Sequence, residues 1–496
     1  MGIIIRQGAK SLSANMIGIV LGAFCVLWLF PKYLTLSQIG LITTLEGASL
    51  LASSLSSLGI NAIVDKFYPV YKNSATKHHG YFGFLLFYTA FSWLLLGVFF
   101  AFTYHFFLSF YLPKSPEFAL YFYLVFPFAG LLAFQNALEG FARVHFRTAI
   151  PAFFREVILR ILIIVSVLFF TFGYYDFLTL IYFRLFSYAI VCGLLIIYLL
   201  RLGVPIFYFH FSYFTFARIW EILRYGLFIF LGSVSAILIL KIDILMLGSM
   251  LNQEAVAIFG MAYFVGSIID LPRKAISQIS LPLIGQAWKD NDLTMLQKIY
   301  HQSSLNQLIV GLWFFLGIWI NIDNLFALMP KGNIFLAGKY VILFVALTRL
   351  IDMGMGLNNE IIYQSSHYIF NLFMVLALLI LVIIFNYIFI PIYNIIGVAF
   401  GTFLAVFLMN VSRFIFLYLK YKFQPFKIQH LWVVMVAINI NYLFSSWFIS
   451  SGIIFWDLCW RSTLLTLMYW TVVLLAKISP EISKGFEELK KIVFKR

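Results

Sequence analysis

One apolar run that contains two charges sets the strongest limit on what this chain can fold into. Between Tyr225 and Met250 the residues are apolar or small, apart from Lys241 and Asp243. A helix of that length is long enough to cross a bilayer. An ionisable residue at the centre of a spanning helix costs at least ~2.5 kcal/mol on insertion scales. We therefore expect both side chains to face a protein interior or a water-filled path, which makes a transporter the first hypothesis.

The composition of the whole chain extends this reading to the rest of the sequence. Of 496 residues, 63% are hydrophobic and only 11% are charged, which leaves far too little polar surface for a soluble globule. Apolar runs separated by polar or Pro/Gly punctuation predict about fourteen spanning helices of ~20 residues or more. They centre near residues 21, 50, 93, 128, 163, 189, 234, 267, 312, 350, 378, 406, 440 and 467. The fold class is thus an all-α polytopic membrane protein.

The positions of the basic residues predict how the chain is oriented in the membrane. If the N-terminus is inside, 24 of the 34 Lys and Arg residues fall in inside segments, and only Lys32, Lys114, Lys331 and Lys339 fall in outside loops. Inside loops carry the excess of Lys and Arg in membrane proteins, so both termini should be cytoplasmic. The net charge of +15 is therefore assigned to loops beside anionic lipids, and no nucleic-acid partner is expected.

An internal repeat predicts two halves. The segment that starts at Tyr33 aligns with the one that starts at Met250, and the segment from Gly173 aligns with the one from Pro391, at nearly the same offset. Two six-helix halves that enter from the same side are parallel repeats, and such folds place the substrate between the halves. The predicted organisation is 1–205 for the N-terminal half, 206–428 for the C-terminal half, 429–478 for spans 13 and 14, and 479–496 for a cytoplasmic tail.

Three stretches carry a resemblance to a known family. They are RYGLFIFLGSVSAILILKIDILMLGSMLNQEAVAIFGMAYFVGSIIDLPRKAISQISLPLIGQ, LTLSQIGLITTLEGASLLASSLSSLGINAIVDKFYP and NNEIIYQSSHYIFNLFMVLALLILVIIFNYIFIPIYNIIGVAFGT. In this order and spacing the chain resembles the polysaccharide-transport branch (Wzx-like O-antigen and lipid-linked oligosaccharide flippases) of the multidrug/oligosaccharidyl-lipid/polysaccharide (MOP) superfamily.

That resemblance implies a MATE-like fold and a specific task. Its members move undecaprenyl-pyrophosphate-linked sugar repeats across the bacterial inner membrane by alternating access. The implied substrate is a lipid-linked oligosaccharide from O-antigen, capsule or exopolysaccharide synthesis, with membrane lipids and a polysaccharide polymerase as partners and a monomeric transporter. Lipid II flippases also carry an appended pair of helices, so lipid II remains an alternative cargo.

Charged residues within the predicted spans are the candidate site. Counted inward from the outside turns at 1.5 Å per residue, several of them lie ~12 to 20 Å deep, which would place them in one layer near the middle of the membrane. The predicted substrate-binding residues are Arg184, Lys241 and Arg349 in this layer, with Arg273 and Lys274 at the inward mouth of the cavity. The predicted charge-balancing or coupling residues are Glu46, Asp243, Asp270 and Asp352.

Each of these charges also has a purely structural interpretation. Arg349 and Asp352 are three residues apart and can pair on one helix face, as Asp270 and Lys274 can at a spacing of four. Glu46 can bridge to any of the buried bases. Arg160 and Arg413 lie closer to the predicted cytoplasmic ends, where long basic side chains extend to the membrane surface.

Several other function classes lack their sequence features. The sequence has no phosphate-binding GxxxxGK[ST] loop, no HExxH and no paired Cys/His set, so neither an enzyme nor a metal cofactor is predicted. A membrane-embedded ligase would need an outside loop with clustered charges, and the segment 321–339 shows no such pattern. A cation-coupled multidrug exporter of the same superfamily remains an alternative. Coupling to a H⁺ gradient, a Na⁺ gradient or the membrane potential is left open.

Overall fold

Long apolar helices make up most of the chain. The structure is a computed structural model that describes residues 2–73, 75–447 and 452–493, and regular structure in these ranges is helical throughout. Twelve of the described helices are long and apolar enough to cross a membrane. Spans 1 to 4, 6 and 7 are Arg6–Tyr33, Leu36–Tyr71, Lys77–Tyr111, Pro116–Val144, Phe177–Arg201 and Phe216–Met250. Spans 8 to 10, 13 and 14 are Gln253–Lys289, Leu293–Ile320, Gly332–Gly354, Ile428–Ser446 and Ile454–Leu475.

The remaining spans are found in helices that are interrupted or unusually long. Span 5 is a helical run over 149–171 with one wider turn, Phe154–Ile158, in its course. The helix Tyr368–Tyr421 has 54 residues, or ~81 Å at 1.5 Å per residue, far more than one crossing of a ~30 Å core requires. Its backbone breaks at Asn394, where φ is 51° and ψ is −130°. Spans 11 and 12 lie on either side of this break, so the described chain contains the fourteen predicted spans.

The break at Asn394 is a tight hairpin between spans 11 and 12. A Cβ atom on Gly397 would overlap the backbone carbonyl of Phe389, and one on Gly401 would lie 3.1 Å from the Asn386 side chain. The rings of Phe389 and Phe400 are also in contact, with centroids 5.1 Å apart. The two helices therefore fold back on each other directly after the turn.

We expect Gly397→Ala to destabilise the protein measurably, because the added methyl group meets a backbone atom that cannot rotate away. Overpacking of this kind typically costs ~1–3 kcal/mol. The measurement is the thermal midpoint and the monodisperse fraction of the detergent-solubilised variant. Gly193→Ala is the matched control, because a Cβ there has no other atom within 4 Å. If both variants behave alike, the hairpin is less tightly packed than the structure shows.

Both matches of the sequence repeat fall where a spanning helix begins. Thr35 caps span 2 and Asn252 caps span 8, each accepting a hydrogen bond from the backbone N–H three residues further on. At the second match, Asp176 caps span 6 in the same way, and its counterpart Asn394 is the break that starts span 12. The repeat thus aligns helix starts, which is the feature that a shared architecture of two halves requires.

The chain divides into two compact units, Met1–Ala257 and Ile258–Arg496. In the first unit, span 2 packs against spans 3, 4 and 7. In the second unit, span 9 packs against span 10 and against spans 13 and 14, and the Tyr469 hydroxyl donates a hydrogen bond to the Ile309 carbonyl at 2.7 Å. The predicted halves 1–205 and 206–428, with the appended segments 429–478 and 479–496, rest on the repeat and stay a prediction.

The orientation of the spans can be tested by cysteine labelling. Lys114 and Asn252 are exposed in turns that should face outside, whereas Lys72 and Lys289 are exposed in turns that should face the cytoplasm. We expect a membrane-impermeant maleimide to label cysteines at the first two positions in intact cells, and at the last two only after permeabilisation. The reverse result at either pair would overturn the topology. Ser115, which the outside turn also offers, is unsuitable because it is buried with its hydroxyl on the Gly248 carbonyl.

Candidate functional site

The first charge cluster lies in the first unit and consists of Glu46, Arg184, Lys241 and Arg160. Two nitrogens of Arg184, Nη2 and Nε, donate to Oε1 of Glu46 at 2.5 and 3.1 Å. The Arg184 side chain is only 4% exposed, whereas that of Glu46 is 35% exposed. The carboxylate therefore borders open space while its arginine partner stays inside the protein.

Lys241 approaches this ion pair across the contact between spans 2 and 7. Gly47 has no side chain, and Lys241 Cδ lies 3.8 Å from the position that its Cβ would take. Lys241 and Arg160 both lie close enough to the Glu46 carboxylate to interact with it electrostatically. Three bases thus surround one carboxylate. Two of their nitrogens, Arg184 Nη1 and Arg160 Nε, are buried without a hydrogen-bond partner among the described residues.

Asp243 and Glu156 are two further acids of the first unit. Asp243 is buried, and in the unbroken helix of span 7 it lies ~200° around the axis from Lys241. Glu156 hydrogen bonds to Arg155 at 2.9 Å, and Arg155 also pairs with Glu139 at 2.6 Å. Arg160 is half-buried and its Nε is enclosed without a hydrogen-bond partner among the described residues, and the extension of its side chain to the membrane surface stays a prediction.

The second charge cluster lies in the second unit and is built on a break in span 8. A tight turn at Ile268–Asp270 precedes Pro272, which cannot donate a helical hydrogen bond, so the span restarts at Leu271. Asp270 Oδ1 then accepts a hydrogen bond from Arg273 Nε at 2.6 Å, and Lys274 Nζ forms an ion pair with Asp270 Oδ2 at 3.3 Å. The Asp270 side chain is 6% exposed and that of Lys274 is 63% exposed. The structural pairing predicted for Asp270 and Lys274 is confirmed, but Arg273 is the closer partner.

Glu360 belongs to this cluster and was not predicted. It lies on the short helix Asn358–Gln364 between spans 10 and 11, where it is buried. Its Oε1 accepts from the Ser277 hydroxyl at 2.7 Å and lies 3.8 Å from Arg273 Nη1. The available signal was a single acidic residue in the short, mixed polar and apolar stretch NNEIIYQ. The depth of Glu360 in the membrane could not be counted along a spanning helix, because the short helix that carries it is not one of the spans.

Arg349 and Asp352 complete the cluster from span 10. Arg349 Nη2 donates to the Tyr263 hydroxyl at 2.9 Å, whereas Arg349 Nη1 and Asp352 Oδ2 are 3.8 Å apart. Asp352 has a closer partner in Asn410, whose Nδ2 donates to Oδ1 at 2.7 Å. The predicted pair on one helix face is present but long. Arg349 Nε is buried without a hydrogen-bond partner among the described residues.

Arg413 is a further buried base in this region. It is 8% exposed, and its guanidinium is close enough to Asp352 and Glu360 to interact with both carboxylates. The prediction that Arg413 extends to the membrane surface is therefore wrong. The second cluster therefore contains four bases, Arg273, Lys274, Arg349 and Arg413, and three acids, Asp270, Asp352 and Glu360. Its net charge is positive, as is that of the first cluster.

All nine sequence-predicted site residues lie within spanning helices, five of them in the second unit and four in the first. The structure brings Glu46, Arg184 and Lys241 together, and it brings Asp270, Arg273, Lys274, Arg349 and Asp352 together. Asp243 is buried on span 7, and its assignment to the site stays a prediction. The prediction of one layer shared by both groups concerns both units and stays a prediction.

Comparisons with known proteins give the fold a context. No protein-family model matches the sequence, and a search of curated proteins gave no match. Among solved structures, the lipid II flippase MurJ in an inward closed conformation aligns with a TM-score of 0.74 at 14% identity, over 96% of this chain and 100% of that one. An inward-facing multidrug resistance MATE family transporter of the MOP superfamily aligns with a TM-score of 0.61 at 17% identity, over 84% of this chain and 98% of that one.

A second MATE structure, in complex with MaL6, aligns with a TM-score of 0.54 at 16% identity over 85% of this chain and 96% of that one. At such identities the likeness concerns the fold alone. The chain is an all-helical multi-pass membrane protein with the fold seen in these MurJ and MATE structures, which confirms the fold class predicted from the sequence.

Proposed function

We propose that this protein is a flippase that moves an undecaprenyl-pyrophosphate-linked oligosaccharide from the cytoplasmic to the periplasmic leaflet of a bacterial inner membrane by alternating access. The observation that carries the proposal is that bases outnumber acids in both charge clusters of an MOP transporter fold, by three to one in the first cluster and, with the exposed Lys274 included, by four to three in the second. Unpaired charge inside a membrane protein is costly and is retained for function. A pyrophosphate group supplies the negative charge that these bases lack.

Individual bases differ in what they offer to such a substrate. Arg184 and Arg349 carry planar guanidinium groups with donors that match phosphate oxygens in pairs, whereas Lys241 acts as a compact point charge. Each arginine keeps one buried nitrogen that has no hydrogen-bond partner in the part of the chain that the structure describes. Arg273 and Lys274, on the second part of span 8, extend the basic surface, and Lys274 is the most exposed member. These five residues are the proposed contacts for the substrate headgroup.

The acids have the complementary task. Glu46, Asp270 and Asp352 each bond to a base or an amide of their own cluster, which keeps the bases charged and oriented when no substrate is bound. The buried carboxylate of Asp243 is assigned to charge balance or to coupling. Outward movement of an anionic headgroup is favoured by an inside-negative membrane potential, at ~2.3 kcal/mol per charge per 100 mV. Membrane potential is therefore a sufficient driving force, and H⁺ or Na⁺ exchange on a carboxylate is an additional one.

The extent of the structural matches favours a flippase over a multidrug exporter. The MurJ structure covers 96% of this chain, whereas the two MATE structures cover 84% and 85%. The part of this chain that the two MATE structures leave uncovered is about as long as the segment 428–496, which contains spans 13 and 14. A tail-binding role for these spans would explain why a carrier of lipid-linked substrates has them and a carrier of small solutes does not.

Lipid II is the second candidate cargo, because the matched MurJ structure is that of a lipid II flippase. Lipid II and the oligosaccharide precursors share the undecaprenyl-pyrophosphate group and differ in the sugars. The basic clusters recognise the shared group, so they support both substrates. The oligosaccharide is preferred because the sequence resembles the polysaccharide-transport branch.

The test is a flipping assay on the purified full-length protein in proteoliposomes, with three labelled substrates compared under the same potential. We expect movement of an undecaprenyl-pyrophosphate-linked oligosaccharide, slower movement of lipid II and none of a cationic dye. Preferential movement of lipid II would replace the cargo, and transport of the dye alone would overturn the flippase assignment. A chain cut after Lys427 should insert but lose lipid transport. Unimpaired transport would remove spans 13 and 14 from the mechanism.

A further inference from the structure

A polar pocket of about 460 Å³ lies in the second unit, away from the second charge cluster. Its walls come from three elements: the beginning of span 9, the turn that joins spans 12 and 13, and the first residues of the C-terminal helix Pro480–Val493. The volume falls within the range of ~300–1,000 Å³ that is typical of small-molecule sites. None of the residues that line it has a part in the flippase proposal.

The pocket is held in shape by bonds between its walls. The Gln297 amide clamps the turn in both directions, since its Nε2 donates to the Gln424 carbonyl at 2.6 Å and its Oε1 accepts from the Gln424 N–H at 3.0 Å. His301 Nδ1 contacts the Pro425 carbonyl at 2.7 Å. The Ser479 hydroxyl, at the start of the C-terminal helix, bonds to Asn306 at 2.7 Å. Such a site would bind a ligand without first having to order itself.

The charges that line the pocket are mainly positive. Lys298 and Lys427 both line it and form no salt bridge among the described residues, and His301 lies between them in the wall. The one acid in the lining, Glu481, already accepts hydrogen bonds from Gln302 and from the Ser479 hydroxyl. The positive end of a 14-residue helix adds to the field at the same place.

We propose that this pocket binds a phosphate group through Lys298 and Lys427. A phosphate monoester, with close to two negative charges at neutral pH, balances both lysines, and a phosphodiester headgroup balances one of them. The amides of Gln297 and Gln429 supply further polar contacts. The phosphate belongs either to an anionic phospholipid headgroup or to a soluble phosphate compound. Both sources can reach the pocket along the neighbouring C-terminal helix, which has an apolar face and a polar face. On the apolar face, Ile482 packs on the apolar core and Phe486 stacks on Trp470 of span 14. On the polar face, Lys484 and Glu487 are exposed to solvent.

The test measures binding and needs no transport assay, so its outcome is independent of the flippase proposal. The full-length protein is placed in phosphatidylcholine nanodiscs, and its thermal midpoint is followed as inorganic pyrophosphate is added. A second series compares nanodiscs with and without phosphatidylglycerol. We expect a rise of the midpoint in at least one series. The rise identifies the source as a soluble phosphate if pyrophosphate alone causes it, and as a lipid headgroup if phosphatidylglycerol alone causes it.

Two variants tie the effect to the pocket. Lys298→Gln with Lys427→Gln should weaken the response by at least about tenfold in ligand concentration, because charge-assisted hydrogen bonds are lost. Gln429→Glu keeps the size of the side chain and places a carboxylate in the pocket wall, so it should weaken binding with both lysines present. Lys484→Gln, on the exposed face of the same helix, is the control and should respond as the wild type does.

Two outcomes would overturn the proposal. One is the absence of any midpoint change in both series for a folded wild-type protein. The other is a rise of the midpoint that both pocket variants retain in full. Such a rise would place the anion at the buried charge clusters, and it should then be lost in Arg184→Gln or Arg349→Gln. If the double lysine variant fails to fold, Gln429→Glu decides alone.

Discussion

Replacing Arg184 with Gln is expected to lower the amount of folded protein sharply and to abolish transport. Arg184 is almost fully buried, and two of its nitrogens bond to Glu46, so its removal leaves a carboxylate without its main partner inside the membrane. Breaking a buried pair from one side costs ~3–5 kcal/mol, and the partial exposure of Glu46 places this case near the lower end. The measurement is the folded fraction by fluorescence-detected gel filtration, together with the thermal midpoint.

The double variant Glu46→Gln with Arg184→Gln separates structure from function at this site. The double variant removes both members of the pair, so neither is left behind without the other, although Lys241 and Arg160 lose the Glu46 carboxylate. The amount of folded protein should therefore recover in part. Transport should not recover, because the guanidinium proposed to contact the pyrophosphate is still missing. Arg201→Gln, at the exposed end of the same span, is the control and should change neither quantity. Full transport by the folded double variant would show that Arg184 serves only to hold Glu46.

Replacing Arg349 with Gln is expected to reduce transport by a factor of about ten to about a hundred while leaving the amount of protein near normal. The reason for the difference from Arg184 is the weaker pairing of Arg349 within the protein. Asp352 is 3.8 Å away and keeps its bond to Asn410, so no carboxylate is left without a partner. The expected loss corresponds to one or two charge-assisted hydrogen bonds to the substrate, at ~1.5–3 kcal/mol for hydrogen bonds to charged groups.

Two further variants make the Arg349 result specific. Arg349→Lys keeps the charge but loses the paired donors, so it should restore transport only in part. Tyr263→Phe removes the hydroxyl that accepts from Nη2 and should have a much smaller effect, because it leaves the guanidinium free to turn towards the substrate. Lys420→Gln, at the exposed end of span 12, controls for a general loss of positive charge. Normal transport by Arg349→Gln would mean that the base is structural, in spite of its unbonded buried nitrogen.

Sequence reasoning was most successful for features that depend on neighbouring residues along the chain. The number of spans and the internal repeat, whose two matches fall where spanning helices begin, follow from local hydropathy and from the pattern of residues along the chain. The presence of charges inside the spans was equally visible. The sequence allowed only a guess, from the depth of each residue along its helix, about which of those charges would meet. The depth of a residue on one helix does not determine which face of a neighbouring helix it contacts.

Tertiary structure decided the partners and the exceptions. Glu46 and Arg184 are 138 residues apart in sequence, and they meet because spans 2 and 6 belong to one packed unit. Glu360 entered the second cluster from a short helix that hydropathy does not mark as a span. Arg413 turned towards carboxylates that were assigned to other helices. Hydropathy and helical period are properties of a segment, whereas an ion pair depends on the rotation and contact of two segments, and only the packed fold determines these.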